Sequence, residues 1–234
     1  MRAVFAVLMA VWMIAGQATA ENRPLVVVEL FTSQGCSSCP PADGLLAELA
    51  VGQADLLPLA LHVDYWDYIG WADSFARPEH TLRQKAYAHA AGRRSIYTPE
   101  MVVGGVDHVI GVKPMMLADL LARHRATLGK VLLQGDIIDG QLRLTAESAG
   151  LALPPLMVAQ LVQFTARETV QITRGENAGQ SVSYANIVTD MRVIGQWDGV
   201  GRLNISADVP GTGPVAVVLQ ASGPGEILAA IRLR

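Results

Sequence analysis

Only two cysteines occur in the 234 residues, and they stand three positions apart at Cys36 and Cys39. That spacing excludes a scaffold stapled by disulfides, which needs more cysteines at wider separations. What flanks the pair therefore decides what it is for. Before it, Leu25–Phe31 is a β-branched and apolar run interrupted only by Glu29, the pattern of a strand buried on both faces. The turn Thr32–Gly35 follows. After the pair, Pro40, Pro41 and Asp43 lead into Leu45–Ala50, which reads as a short helix, and Leu56–Val63 reads as a second strand. Strand, helix, strand is a βαβ unit, whose crossover is right-handed.

A C-x-x-C motif opening a helix behind a buried strand has a chemical consequence. The unpaired N–H groups and positive dipole end of the helix favour a thiolate on the first cysteine. A depressed pKa makes Cys36 a competent nucleophile near neutral pH. Cys39, one turn on, is placed to attack a mixed disulfide formed at Cys36. The residues thus assign Cys36 as nucleophile and Cys39 as resolving thiol. Two other readings stay open. A structural disulfide would close a loop of four residues, worth about 2 kcal/mol by loop entropy. Two thiolates with a histidine would suit Cu(I), with His62, His80, His89, His108 and His124 available but none adjacent in sequence. Zinc would need about four ligands, and there is no second cysteine pair.

Glu29 is a carboxylate in an apolar strand, seven residues before Cys36. Buried, it would have a raised pKa and could relay a proton to the resolving thiol. Paired with an arginine, it would instead be structural. Downstream, Tyr65, Trp66, Tyr68 and Trp71 crowd a helical and charged stretch, as core or as a wall beside the cysteines, with Asp64 and Asp67 favouring partial exposure. Leu82–Ala88 fits a helix. Met101–Val103, the turn Gly104–Gly105 and Val106–Ile110 read as a hairpin, and a helix begins near Pro114.

Beyond Gly129–Lys130 the period changes to short strand-like runs. Gly135–Ile138 and Gln141–Thr145 flank the tight turn Asp139–Gly140; later runs are Val158–Phe164, Glu168–Thr173, Val182–Thr189, Gly201–Ala207 and Val215–Gln220. Many short strands predict an antiparallel sandwich. Arg174–Gly179 reads as a hairpin loop. Eighteen basic against 21 acidic side chains give a net charge of −3, and no basic patch of the kind nucleic acid demands is present. Met1–Arg2, the apolar run Ala3–Ala15 and Ala18–Thr19–Ala20 have the three-part layout of a secretory signal peptide; the run is too short to span a bilayer. The division expected is 1–20 signal peptide, 21–129 an α/β domain and 130–234 a β-rich domain, in a periplasmic or secreted protein without cofactor.

Residues 25–128 resemble a thioredoxin-like domain. More closely, Glu29–Asp43, with its core Cys36–Ser37–Ser38–Cys39–Pro40–Pro41–Ala42–Asp43, is similar to a bacterial family of exported thioredoxin-like proteins without an assigned function. Tyr97–Gly105 and Arg174–Gly179 extend that resemblance along the chain. It implies that Pro99 is a cis proline lying against the cysteines and that Thr98 offers its backbone to substrate. It also implies an acidic residue near the place of Glu29 and a redox site; the substrates expected of the cysteine pair are protein thiols or disulfides. The chain departs from ordinary thioredoxins in its Ser–Ser dipeptide, in Gly35 before Cys36, and in two prolines after Cys39, which remove backbone donors and are expected to distort the first helical turns.

Overall fold

A computed structural model of the chain describes residues 24–234, so the signal-like segment lies outside the described residues. Among the described residues, no helix is long and apolar enough to cross a membrane. The first half runs β1 (Val26–Thr32), α1 (Pro40–Gly52), β2 (Leu56–His62), α2 (Pro78–Ala90), β3 (Glu100–Val103), β4 (Asp107–Ile110) and α3 (Pro114–Ala126). The second half is all strand: β5 (Val131–Ile138), β6 (Gln141–Ser148), β7 (Met157–Gln171), β8 (Ser181–Trp197), β9 (Leu203–Asp208), β10 (Val215–Ala221) and β11 (Ile227–Arg232).

The result is a sheet-rich mixed α/β fold. One sheet of eight strands has the order β11-β10-β7-β8-β2-β1-β3-β4, and a second has the order β5-β6-β9. β1 lies at the centre of the first half, parallel to β2 and antiparallel to β3, and every one of its residues is buried, as its unbroken apolar run requires. Its side chains alternate between two cores. Val26, Val28 and Leu30 meet α1 and α3 through Leu46, Leu117 and Leu120, while Val27 and Phe31 meet Tyr87 of α2.

The expectation of a self-contained C-terminal sandwich is corrected here. β7, β8, β10 and β11 continue the sheet of the first half instead of forming their own. The seam is narrow: β8 meets β2 at Ala60 and Ile187, and the Asn186 amide donates to the Pro58 carbonyl at 2.8 Å. Face-to-face packing does occur, because Leu133, Leu142 and Leu144 of the small sheet close a core with Leu161, Val217 and Ile231 of the large one. The runs Val158–Phe164 and Glu168–Thr173 merge into the single 15-residue β7, and β11 was not anticipated. Gly104–Gly105 turns between β3 and β4 as expected. Both have positive φ, and a Cβ on Gly105 would lie 2.4 Å from the Gly225 carbonyl, so this turn also touches the loop before β11.

Candidate functional site

The cysteines sit where β1 leaves the sheet. Ser33, Gln34 and Gly35 carry the chain out of the core, and Cys39 is the residue on which α1 starts. The Cys39 carbonyl accepts from the Ala42 and Asp43 amides at 2.8 and 3.1 Å. Pro40 and Pro41 occupy the first helical positions, where no N–H is needed, so they begin the helix without distorting it. Cys36 and Cys39 are disulfide-bonded with Cα atoms 5.4 Å apart. Cys39 is fully buried and Cys36 only 3% exposed, while Ser37 and Ser38 between them are exposed.

The loop is held by side chains from distant parts of the chain. Buried Gln34 takes the Trp71 indole N–H on Oε1 at 2.8 Å, gives its own amide to Ser74 Oγ at 3.1 Å, and its backbone N–H donates to Asp73 Oδ2 at 2.7 Å. From the other half, the far end of β7, exposed at Ala166–Thr169, and the start of β8 bring their connecting loop over the motif. Asn177 in that loop is buried, and its amide donates to the Gln34 and Cys36 carbonyls at 2.9 and 3.0 Å. Across the disulfide, the Thr98 carbonyl oxygen is 3.8 Å from Cys36 Sγ, and the Thr98–Pro99 bond is cis. Trp66 Nε1 donates to the Thr98 hydroxyl at 2.6 Å.

Cys36, Cys39, Thr98 and Pro99 therefore meet in space. Glu29 does not join them. As an odd-numbered residue of β1 it faces α2, where the Arg83 guanidinium donates to both its oxygens at 2.6 and 3.1 Å and the Tyr87 hydroxyl donates at 2.5 Å. Arg83 also reaches Gln160 and Gln220, so the pair ties β1 to the second half of the sheet. The relay expected of Glu29 is corrected to the structural ion pair, on the far side of the sheet from α1. The histidines have other partners or face solvent: His62 on Asp73, His80 on the His62 carbonyl, His108 on Glu100, His124 on Asp107, and His89 exposed. Among the described residues no three His, Cys, Asp or Glu side chains group to hold a metal. The aromatic group splits, with Tyr65 and Trp66 half-buried against the core and Tyr68 81% exposed over Trp66.

A motif-bearing loop clamped by both halves of the chain should be inherited as one unit. The family described as "Protein of unknown function (DUF1223)" matches residues 27–220, from β1 into β10. The chain belongs to this DUF1223 family. A crystal structure of a protein from Agrobacterium tumefaciens is 35% identical with a TM-score of 0.77, covering 92% of this chain and 96% of that one. HBP35 of Porphyromonas gingivalis is 14% identical with a TM-score of 0.62, over 91% of this chain and 76% of that one, a likeness of fold alone. No curated protein matches the chain.

The DUF1223 match spans residues whose contacts around the motif sequence reasoning did not find. Gln34, Asp73, His62 and Asn177 carry no local signal, because their partners are 11 to 143 positions away. Asp43 was legible in principle: it stands four residues after Cys39, on the same face of a helix. The Asn177 clamp has a measurable consequence. Asn177→Ala removes the Asn177 donor from the buried Gln34 carbonyl and leaves the Cys36 carbonyl with the Cys39 amide, and is expected to lower stability by about 1–3 kcal/mol, read as a reduced urea midpoint of the oxidised protein. An unchanged midpoint would show that this loop does not hold the motif.

Proposed function

We propose that this DUF1223 protein is a thioredoxin-like thiol–disulfide oxidoreductase acting outside the cytoplasm on protein thiols and disulfides. Cys36 forms the mixed disulfide with substrate and Cys39 resolves it. Thr98 and Pro99 position the substrate chain against Cys36. The observation that carries this reading is the placement of the bonded pair at the start of α1 with the Thr98 carbonyl 3.8 Å from Cys36 Sγ. A peptide strand lying along Thr98 would have its own sulfur within reach of that atom. The signal-like N-terminus supports export, since disulfide exchange of this kind suits oxidising compartments.

One observation favours a second reading, an inert structural disulfide: Cys36 is nearly covered. The reduction potential separates the two. Equilibration with glutathione buffers, quenched by thiol alkylation, is expected to place the pair between about −270 and −120 mV, the range of exchange-active dithiols. The Cys36→Ser variant is expected to lose all exchange with glutathione disulfide. A potential well below about −300 mV would assign the bond to structure.

A further inference from the structure

Under the disulfide, on the face of the sheet that carries α1, lies a set of buried polar side chains that disulfide exchange between Cys36 and Cys39 leaves without a role. β1 and β2 are in parallel register with Thr32 opposite His62. Alternation sends both toward α1, on the side where Val28, Leu30 and Ala60 pack against Ala42 and Leu46. Asp43, in the first turn of α1, lies over them. Its amide donates to the Cys39 carbonyl at 3.1 Å, so its side chain is stacked one helical turn from Cys39 and leans toward it. At that spacing Cβ atoms are about 5–6 Å apart, a gap that a carboxyl oxygen or one bridging water spans.

These groups are unsatisfied. Both Asp43 carboxyl oxygens, His62 Nε2 and the Thr32 hydroxyl are buried with no hydrogen-bond partner among the described residues. Buried polar atoms are ordinarily paired, and four orphans in one place ask for a function. The surroundings are rigid. His62 Nδ1 is 2.7 Å from Asp73 Oδ2, and that hydrogen bond fixes the ring with Nε2 turned away from Asp73. The ring is wedged edge-on between Phe75 and Tyr184, with centroids at 5.1 and 4.9 Å. Burial, with smaller contributions from Asp43 and Asp73, pushes the Tyr184 hydroxyl far above its ordinary value and keeps it neutral. Behind His62, burial pushes His80 down to about 4, so it is neutral as well. Burial also pushes the Asp43 carboxyl up to about 7; Asp73 adds to the rise, and His62 and Thr32 pull against it.

We infer that Asp43 is the proton store of the resolving thiol, a role resting on the oxidoreductase reading above. When a substrate thiolate attacks Cys36 Sγ, the new sulfur–sulfur bond forms at Cys36 and the Cys36–Cys39 bond breaks. The electron pair leaves on Cys39 as a thiolate, and the Asp43 carboxylic acid passes it a proton. In reverse, the Asp43 carboxylate takes the Cys39 proton, the Cys39 thiolate attacks Cys36, and the substrate sulfur leaves with the electron pair. The two directions are one step read forward and backward, and the only co-reactant is the substrate's own thiol or disulfide. His62, held by Asp73, faces the carboxyl and sets the pH at which it changes state.

The test is stopped-flow oxidation of the reduced full-length protein by saturating glutathione disulfide, where release of the second glutathione reports Cys39 attacking Cys36. Wild type is expected to show an inflection near pH 7 in that rate. Asp43→Asn is expected to lose the inflection and slow ring closure by 10²-fold or more, the usual scale of general acid–base catalysis. Alkylation of Cys36 by iodoacetamide, which needs no proton on Cys39, is expected to stay at the wild-type rate. His62→Asn, which removes the ring that pulls the carboxyl down, is expected to move the inflection to higher pH. A wild-type profile in Asp43→Asn overturns this inference alone. A wild type that never exchanges with glutathione disulfide overturns the oxidoreductase reading, and this inference with it.

Discussion

Arg83→Ala destabilises the fold by about 3–5 kcal/mol, the cost of leaving a buried charge without its partner. Glu29 is fully buried, and among the described residues Arg83 supplies its only full counter-charge, with the Tyr87 hydroxyl left as a neutral donor. Arg83 also donates to Gln220 Oε1 at 2.9 Å, so the loss is felt on β10 as well as β1. Urea denaturation measures it. The double variant Glu29→Gln with Arg83→Met is expected to recover most of the stability, because removing both charges removes the burial penalty. If the single change costs less than about 1 kcal/mol, Glu29 is not desolvated as described. Glu29→Gln alone is expected to keep the wild-type pH profile of ring closure, since its carboxylate faces α2 and not the cysteines.

Asp43→Asn gains on the wild type as pH rises. The folded carboxyl titrates near 7 against 3.8 for the ordinary group, so between those values the unfolded chain has released a proton that the folded chain still holds. Wild-type stability from this group therefore falls as pH climbs from about 4 to 7 and is fully lost above 7. Asparagine does not titrate, so the stability difference between variant and wild type should shift in favour of the variant by up to roughly 4 kcal/mol between pH 4 and pH 8. Taking that difference cancels the opposite contribution of Glu100. Burial pushes the Glu100 carboxyl up, but hydrogen bonds from His108, Gln84 and Arg93 outweigh it and hold the group low. A difference flat with pH would mean that Asp43 is ionised and solvated in the folded protein.

Both predictions concern carboxylates in the first 43 residues, and of the two sequence reasoning singled out only Glu29. Glu29 stood out because it interrupts an apolar strand. Asp43 did not, because an acid in the first turn of a helix is an ordinary complement to the dipole. Which face of the sheet each carboxylate occupies follows from strand parity and from the positions of α1 and α2. The relevant arginine is 54 residues from Glu29, beyond any local pattern.

What the sequence determined by itself was local. Strand, helix and turn up to Ala126 follow from periodicity, glycine and proline; so does the C-x-x-C pair at a helix start, because neighbours a few residues apart supply those signals. The tertiary structure decided what long-range pairing controls. It joined β7, β8, β10 and β11 to the first sheet, swung Asn177 over Cys36, and set Arg83 against Glu29. It also buried Asp43, one helical turn after Cys39, with no hydrogen-bond partner among the described residues. Backbone hydrogen bonds between strands carry no residue code, and burial sums contributions from every element that packs nearby. Neither can be read from a segment taken alone.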